Sequence, residues 1–342
     1  MRVRIRETEN AKSQQKHRSQ QRQAELSRLY LCRKCGESYT SQERNQTRFC
    51  KKCGTWLTAI SNSHQTSSRF MQNAEKSSQI DLSSCKTRFL PEKYKSRIAE
   101  AHQRGAHILR NAGFIPEPLE TAFLVEEHRW FWKPEEVKFI LVAESHVYTS
   151  AEESRVKIVR QRLPKNFPKN APLNFVKLVY CLGYGEPDIL DFPEKIANNP
   201  GTKDYIDLFR KCINFKSQCL KKLEWKSELL NATKEKGIWL LDASLHACAL
   251  GKRQRLPSRI VKKILPISWN RYVKPVLDDT KIDQDFVWIV GKGVHETLEG
   301  KYIRGSNWVY QPNARFNNET FYEVKRKREF ELQRAIRRRC KI

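Results

Sequence analysis

The sequence predicts an α/β protein with three layers (αβα), in which a central, mostly parallel four-stranded sheet lies between helices. Four apolar runs indicate this fold, because segments with helical spacing separate them along the chain. The runs are VKFILVAES (137–145), GIWLLDA (237–243), DFVWIVGKG (285–293) and NWVYQPN (307–313). A cysteine-rich module near the N-terminus adds a second, much smaller structural unit.

Helices are predicted before and between these strands. Residues 92–113 place apolar side chains at helical spacing, and Gly113 ends the pattern. The other segments with helix-like patterns are 173–182, 204–215, 219–237 and 266–279. Alternating strands and helices are typical of a parallel sheet that binds its ligand beyond the carboxyl ends of the strands.

The N-terminal module contains two Cys-x2-Cys pairs with fourteen residues between them. Each pair supplies two thiolates from a tight turn, and two pairs complete a tetrahedral zinc site. The predicted ligands of this Zn²⁺ are Cys32, Cys35, Cys50 and Cys53. Because four protein ligands leave no open position, the zinc ribbon is expected to be structural. Basic residues around the pairs favour nucleic-acid binding, and docking of another protein is the alternative.

Shifts in composition predict the domain boundaries. The segments are a basic N-terminal segment (1–29), the zinc ribbon (30–56), a flexible linker (57–85), the α/β domain (86–325) and a basic C-terminal tail (326–342). The linker is rich in Ser, Asn and Gln and has no apolar periodicity. The tail is expected either to contact phosphate as a terminal helix or to be a solvated end.

The charge balance points to a polyanionic partner. Lysine and arginine outnumber aspartate and glutamate by 65 to 38, which gives a net charge of +27. Each phosphate that such cations neutralise releases condensed counterions, so nucleic acid is the expected partner. The mean hydropathy is −0.71, and the sequence contains no apolar segment as long as a membrane span. Because the N-terminus has no apolar signal region, a cytoplasmic protein is expected.

Polar residues with functional chemistry fall where the predicted strands end. They are Glu144, Ser145, His146 and Tyr148 after the first strand, Asp242 at the end of the second, and Gln311, Asn313 and Arg315 after the fourth. The carboxyl ends of parallel strands share one edge, so these side chains are expected to lie close together there. This edge is the predicted active site.

Three of these strand ends resemble motifs of the uracil-DNA glycosylase superfamily. AESHV (143–147) matches the first motif, LLDASL (240–245) the central base-reading strand end, and QPNAR (311–315) the late His-Pro-Ser-Pro-Leu-like loop. The similarity spans roughly residues 95–325 in strand order and spacing, each motif is degenerate, and the zinc ribbon lies outside it. The resemblance implies a monofunctional DNA glycosylase that extrudes a base and hydrolyses its N-glycosidic bond with water. It also implies no lysine Schiff base and no catalytic metal.

The chain carries Asp242 where uracil-reading members of that superfamily carry asparagine. An ionised carboxylate only accepts hydrogen bonds, so it suits the 4-amino group of cytosine and repels O4 of uracil. Excision of unmodified cytosine would damage the host, so the expected base is a modified cytosine, hydroxymethylated or glucosylated. A branch of the superfamily acts on such bases in phage defence. The alternative role for Asp242 is to cap a helix that begins near Ala243.

The late loop is expected to contact both the base and the DNA backbone. Gln311 stands where the family has histidine, and its amide could donate to O2 of the base as negative charge grows there. Asn313 replaces a serine that touches phosphate. Arg315 replaces the apolar wedge that fills the vacated stack, and a guanidinium can also stack on bases.

The sequence leaves the water-activating residue open. The predicted catalytic residues are Glu144, Ser145, His146 and Gln311. Many family members place aspartate where this chain has Ser145, and serine is no base at neutral pH, so Glu144 or His146 would act on the water. Tyr148 and Tyr184 are candidates to stack on the base.

Two other functions fit the same sequence. One is a repair glycosylase for uracil or another deaminated base. The other is a non-catalytic, zinc-ribbon nucleic-acid-binding protein that kept the sheet but lost its water activator, a reading that Ser145 favours.

Overall fold

The computed structural model of the protein describes residues 87–342, except 166, 198, 202, 218–220, 252–253, 304–306 and 316–317, together with three strands nearer the N-terminus. The chain divides into two compact units, Met1–Asp81 and Leu82–Ile342. The boundary between the units falls inside the segment predicted to be a linker.

In the first unit, three short strands form an antiparallel sheet. They are β1 (Leu29–Cys32), β2 (Ser38–Thr40) and β3 (Leu57–Ala59), in the order β2-β1-β3. The predicted linker starts at residue 57, so its first three residues belong to this sheet instead. The predicted zinc ligands Cys35, Cys50 and Cys53, and the side chain of Cys32, lie outside the described residues. The zinc site therefore stays a prediction.

The second unit contains the central parallel sheet. The strands of this unit are β4 (Phe139–Ala143), β5 (Ile238–Asp242), β6 (Ala249–Gly251), β7 (Gln254–Arg255), β8 (Val287–Val290) and β9 (Trp308–Val309). Four of them pair in parallel in the order β5-β4-β8-β9, which confirms the four predicted strands. Every residue of β4 and β5 is buried, as expected of parallel strands covered on both faces. The remaining two, β6 and β7, form a small antiparallel hairpin.

Helices follow and precede these strands as an α/β fold requires. They are α1 (Glu92–Asn111), α2 (Leu119–Phe131), α3 (Lys203–Cys212), α4 (Lys222–Glu235), α5 (Ser258–Ser268), α6 (Lys274–Thr280), α7 (Lys292–Leu298) and α8 (Glu319–Cys340). A π-helical turn, Trp269–Val273, joins α5 to α6. On the sheet, α4 packs against β5, α7 against β8, and α8 against β4 and β9.

One predicted helix, over residues 173–182, is wrong. This segment consists of turns and bends, although most of its apolar side chains are buried. Several of its backbone groups bond to other segments: Phe175 N donates to Val156 O, and Lys177 O accepts from Val147 N. A short apolar run cannot by itself distinguish a helix from a buried irregular segment.

The C-terminal basic segment is part of a long helix rather than a separate tail. Helix α8 begins at Glu319, before the predicted tail at 326, and buries Leu332, Ile336 and Cys340. These three side chains repeat every four residues, so one face of the helix docks on the domain. Within the part of the chain that the structure describes, no helix has the length and apolar character to cross a membrane.

Candidate functional site

The carboxyl edge of the sheet brings together side chains from separate segments. Ala143 pairs with Asp242 in the register of β4 and β5, so Glu144 leaves β4 next to the end of β5. Gln311 follows the last residue of β9 by two positions, and Arg255 lies in β7. We call Glu144, Arg255 and Gln311 the edge cluster.

The edge cluster is held together by polar contacts and is partly exposed to solvent. The carboxylate of Glu144 forms an ion pair with the guanidinium of Arg255, whose Nη1 donates to Oε1 of Gln311 across 3.5 Å. The side chain of Glu144 is 15% exposed and that of Arg255 is 51% exposed. A Cβ atom at Gly291 would lie 3.3 Å from Cγ of Gln311, so the turn after β8 packs directly on the amide side chain. A ligand at this edge can therefore reach a carboxylate, a guanidinium and an amide.

A second group of charged side chains is almost fully buried. We call it the buried network; its members are Glu117, His146, Asp242, Arg129 and Glu126. Arg129 Nη2 lies 2.7 Å from Oδ2 of Asp242, and the same guanidinium pairs with Glu126. His146 Nε2 lies 2.8 Å from Oε2 of Glu117. Its Nδ1 lies 3.4 Å from Oδ2 of Asp242, an ion-pair contact without hydrogen-bond alignment.

Further hydrogen bonds satisfy the ends of this network. Oε1 of Glu117 accepts from the backbone N of Thr149 at 2.6 Å, and the hydroxyl of Tyr272 donates to Glu126 at 2.5 Å. Buried charges are tolerated only when they are paired and hydrogen-bonded in this way. The network thus ties α2, β5 and the loops before α2 and after β4 to one another.

The carboxylates on both sides of His146 favour its charged form. Burial by itself lowers the pKa of His146, but the charge of Glu117, its hydrogen bond to Nε2 and the charge of Asp242 raise it to about 10. Burial would raise the pKa of Asp242, but the guanidinium of Arg129 and the ring of His146 outweigh it and lower that pKa. Burial raises the pKa of Glu126 in spite of the nearby Arg129. At neutral pH the centre of the network is an imidazolium between two carboxylates.

The position of Asp242 gives no support to the prediction that it accepts from a base. Its side chain is only 3% exposed, and Oδ2 is occupied by Arg129 and His146. The alternative, a helix cap, is wrong, because residues 243–248 form bends rather than a helix. The negative charge of Asp242 at the end of β5 is instead compensated by Arg129 and His146.

The structure places the other predicted residues of the first strand end in different settings. Ser145 Oγ donates to the carbonyl of His146 at 3.0 Å and accepts from the backbone N of Cys248 at 2.8 Å, so it braces two loops. Tyr148 is half-buried, and its backbone N donates to Ala249 O at 2.9 Å. Burial, followed by the charges of nearby carboxylates, raises the pKa of its phenol.

The remaining predicted residues divide between core and surface. Tyr184 is buried, with its ring centroid 6.5 Å from that of Phe175 in an edge-on contact, so it belongs to the core and not to the edge cluster. Asn313 and Arg315 are exposed on the loop after β9, where the sequence predicted contacts to DNA.

Several residues of the site are not apparent from the sequence. Arg129 belongs to α2 and Glu117 lies just before it, and the sequence pattern did not predict this helix. Arg255 belongs to a two-residue strand. Burial, followed by the charges of Asp242 and Glu144, raises the pKa of Tyr205 in α3. The nearest signal is EEHRWFW (126–132), a charged run among aromatic residues, which is unusual for a solvated helix face.

No protein-family model matches the chain, and neither curated proteins nor solved structures give a significant match. The class of protein therefore has to be argued from the fold and the edge cluster.

Proposed function

We propose that this protein is a DNA N-glycosylase whose active site is the carboxyl edge of the four-stranded sheet. The observation that carries the proposal is the edge cluster, since an accessible carboxylate, a guanidinium and an amide meet where open α/β sheets bind ligands. The net charge of +27 supports a polyanionic substrate. The resemblance of three motifs to uracil-DNA glycosylases supplies the reaction class. We also propose that the helices and the sheet form the three layers (αβα) of that fold.

In this proposal Glu144 is the general base. It takes a proton from water as the water oxygen bonds to the anomeric carbon and the bond from that carbon to the base breaks. The electron pair of the broken bond leaves with the base, and solvent supplies the proton that neutralises it. The amide of Gln311 donates to the base oxygen where negative charge grows. Arg255, which pairs with Glu144 here, exchanges this partner for a DNA phosphate and so frees the carboxylate.

His146 is a positioning residue rather than the base in this mechanism. Its side chain is fully buried, and its two ring nitrogens face Glu117 and Asp242 instead of solvent. An imidazolium enclosed in this way cannot accept a proton from water. It instead fixes the start of the loop after β4, which carries Glu144.

The identity of the base is the less constrained part of the proposal. A modified cytosine, excised in defence against phage, follows from the motif resemblance, and Asp242 does not add to it in this structure because its carboxylate is enclosed. Gln311 presents both an amide donor and an acceptor, which would serve cytosine and uracil alike. Repair of uracil is therefore retained as a second substrate class.

A substrate panel tests the proposal directly. Duplex and single-stranded oligonucleotides that contain uracil, cytosine, hydroxymethylcytosine or glucosylated hydroxymethylcytosine are incubated with the full chain, and alkali-labile sites are counted. We expect cleavage of at least one modified-cytosine or uracil substrate. Glu144→Gln should lower that rate by about 100-fold or more, the usual contribution of a positioned base, with DNA affinity retained.

Glu152→Gln is the matched control, because Glu152 is exposed on a neighbouring loop and the substitution changes the same charge. Its rate should equal that of the wild type. Absence of alkali-labile sites with all four bases would refute the glycosylase activity and favour the non-catalytic binding protein. The structural role of Ser145 is consistent with that alternative. Equal rates for Glu144→Gln and wild type would refute the role of Glu144 as the general base, but not the glycosylase activity.

A further inference from the structure

Helix α8 carries a basic face that the proposed reaction does not use. Exposed side chains at positions 327, 330, 334 and 338 are Lys327, Phe330, Arg334 and Arg338, which we call the terminal basic face. At 3.6 residues per turn these positions fall within an arc of about 80°. The buried Leu332, Ile336 and Cys340 lie on the opposite side of the helix, so docking of α8 leaves this face outward.

Among the described residues, Lys327, Arg334 and Arg338 form no ion pair with a carboxylate of the helix. Glu323 and Glu331 lie one turn before and one turn after Lys327, and Glu331 lies 3.4 Å from Arg328. Three cations lie along twelve residues, a helical distance of about 17 Å. In their midst Phe330 is 63% exposed.

The same helix is bonded to the loop that carries the predicted DNA contacts. Lys325 Nζ donates to the carbonyls of Pro312 at 2.7 Å and Ala314 at 3.1 Å. These bonds attach the first turns of α8 to the loop that presents Asn313 and Arg315. Whatever binds at the carboxyl edge is therefore brought close to the start of α8.

We infer that the terminal basic face binds the phosphate backbone of duplex DNA, outside the segment that occupies the carboxyl edge. The inference rests on the proposed function for the identity of the polyanion, because DNA is the substrate proposed for the edge. Backbone contacts of this kind add affinity without reading sequence, and they make binding steeply dependent on salt. The face would thus hold the protein on DNA while the carboxyl edge meets successive bases.

The test compares two triple variants of equal charge. Lys327→Gln, Arg334→Gln and Arg338→Gln are combined in one protein. The control combines Lys157→Gln, Lys165→Gln and Lys169→Gln, three exposed lysines of another surface. Binding to an unmodified 30-base-pair duplex is measured by fluorescence anisotropy between 50 and 300 mM salt. Circular dichroism and thermal melting establish that both variants fold.

We expect the α8 variant to reduce the slope of log affinity against log salt by about 2 to 3, since each lost phosphate contact contributes about 0.9. The control should change the slope by less than 1. Equal slopes for the two variants, or an α8 variant that matches wild type, would overturn the inference. Because the duplex contains no target base, these outcomes do not depend on cleavage, and a failed substrate panel leaves them interpretable.

Discussion

Protonation of His146 should make a large contribution to stability that disappears at alkaline pH. Its pKa is about 10 in the folded protein and 6.5 in the unfolded chain. A pKa that is raised by folding stabilises the protein below the unfolded value and loses that effect as pH rises through the folded value. Linkage between these two values gives a contribution of roughly 3 to 4 kcal/mol at pH 7 that falls below about 1 kcal/mol at pH 10.

Urea denaturation of wild type and His146→Gln between pH 6.5 and pH 10.5 measures this contribution. The difference in unfolding free energy should be large at pH 7 and shrink by about 3 kcal/mol by pH 10. A difference is needed because Lys226, whose pKa burial lowers to about 8, gives wild type the opposite trend. His102→Gln is the control, since burial lowers the pKa of His102 rather than raising it.

A constant difference between wild type and His146→Gln across that range would refute a protonated His146. Where that variant does not fold, Glu117→Gln provides the same test, because it removes the carboxylate charge that raises the pKa of the imidazole most. The contribution of His146 should then decline up to about pH 10 in the wild type and should level off at a lower pH in the Glu117→Gln protein. Coincident alkaline transitions would contradict the reasoning.

Three further outcomes follow from contacts elsewhere in the molecule. Gly105→Ala should lower stability by about 1 to 3 kcal/mol in thermal or urea unfolding, because a Cβ there would lie 2.4 Å from the ring of His246; an unchanged melting temperature would contradict this packing. Lys325→Met should speed amide hydrogen exchange in residues 311–315 without affecting β4, since it removes two hydrogen bonds to carbonyls of that loop. Equal exchange rates in the variant and the wild type would show that Lys325 does not hold the loop in place. Native mass spectrometry should find one zinc ion per chain, and Cys53→Ser should lose it; a metal-free wild type, purified without chelator, would refute the four-cysteine site.

The class of fold was predictable because its signal is local. Apolar runs that alternate with helical patterns identified all four strands of the parallel sheet, and burial on both faces makes such runs continuous rather than alternating. Their order in the sheet and the register that places Glu144 next to Asp242 depend on pairing between distant segments. The apolar pattern at 173–182 predicted a helix wrongly, since burial in an irregular segment produces the same pattern.

The candidate site was predictable in position but not in its internal arrangement. Polar residues at the strand ends located the carboxyl edge, because parallel strands necessarily end together. By itself, the sequence also determined the +27 charge and the amphipathic pattern that docks α8. Only the tertiary structure decided that Arg129 compensates Asp242, whereas Glu144 reaches solvent next to Arg255. The reason is physical: the sequence shows that a carboxylate must be compensated, but residue 129 and residue 242 become neighbours only when α2 packs on the sheet.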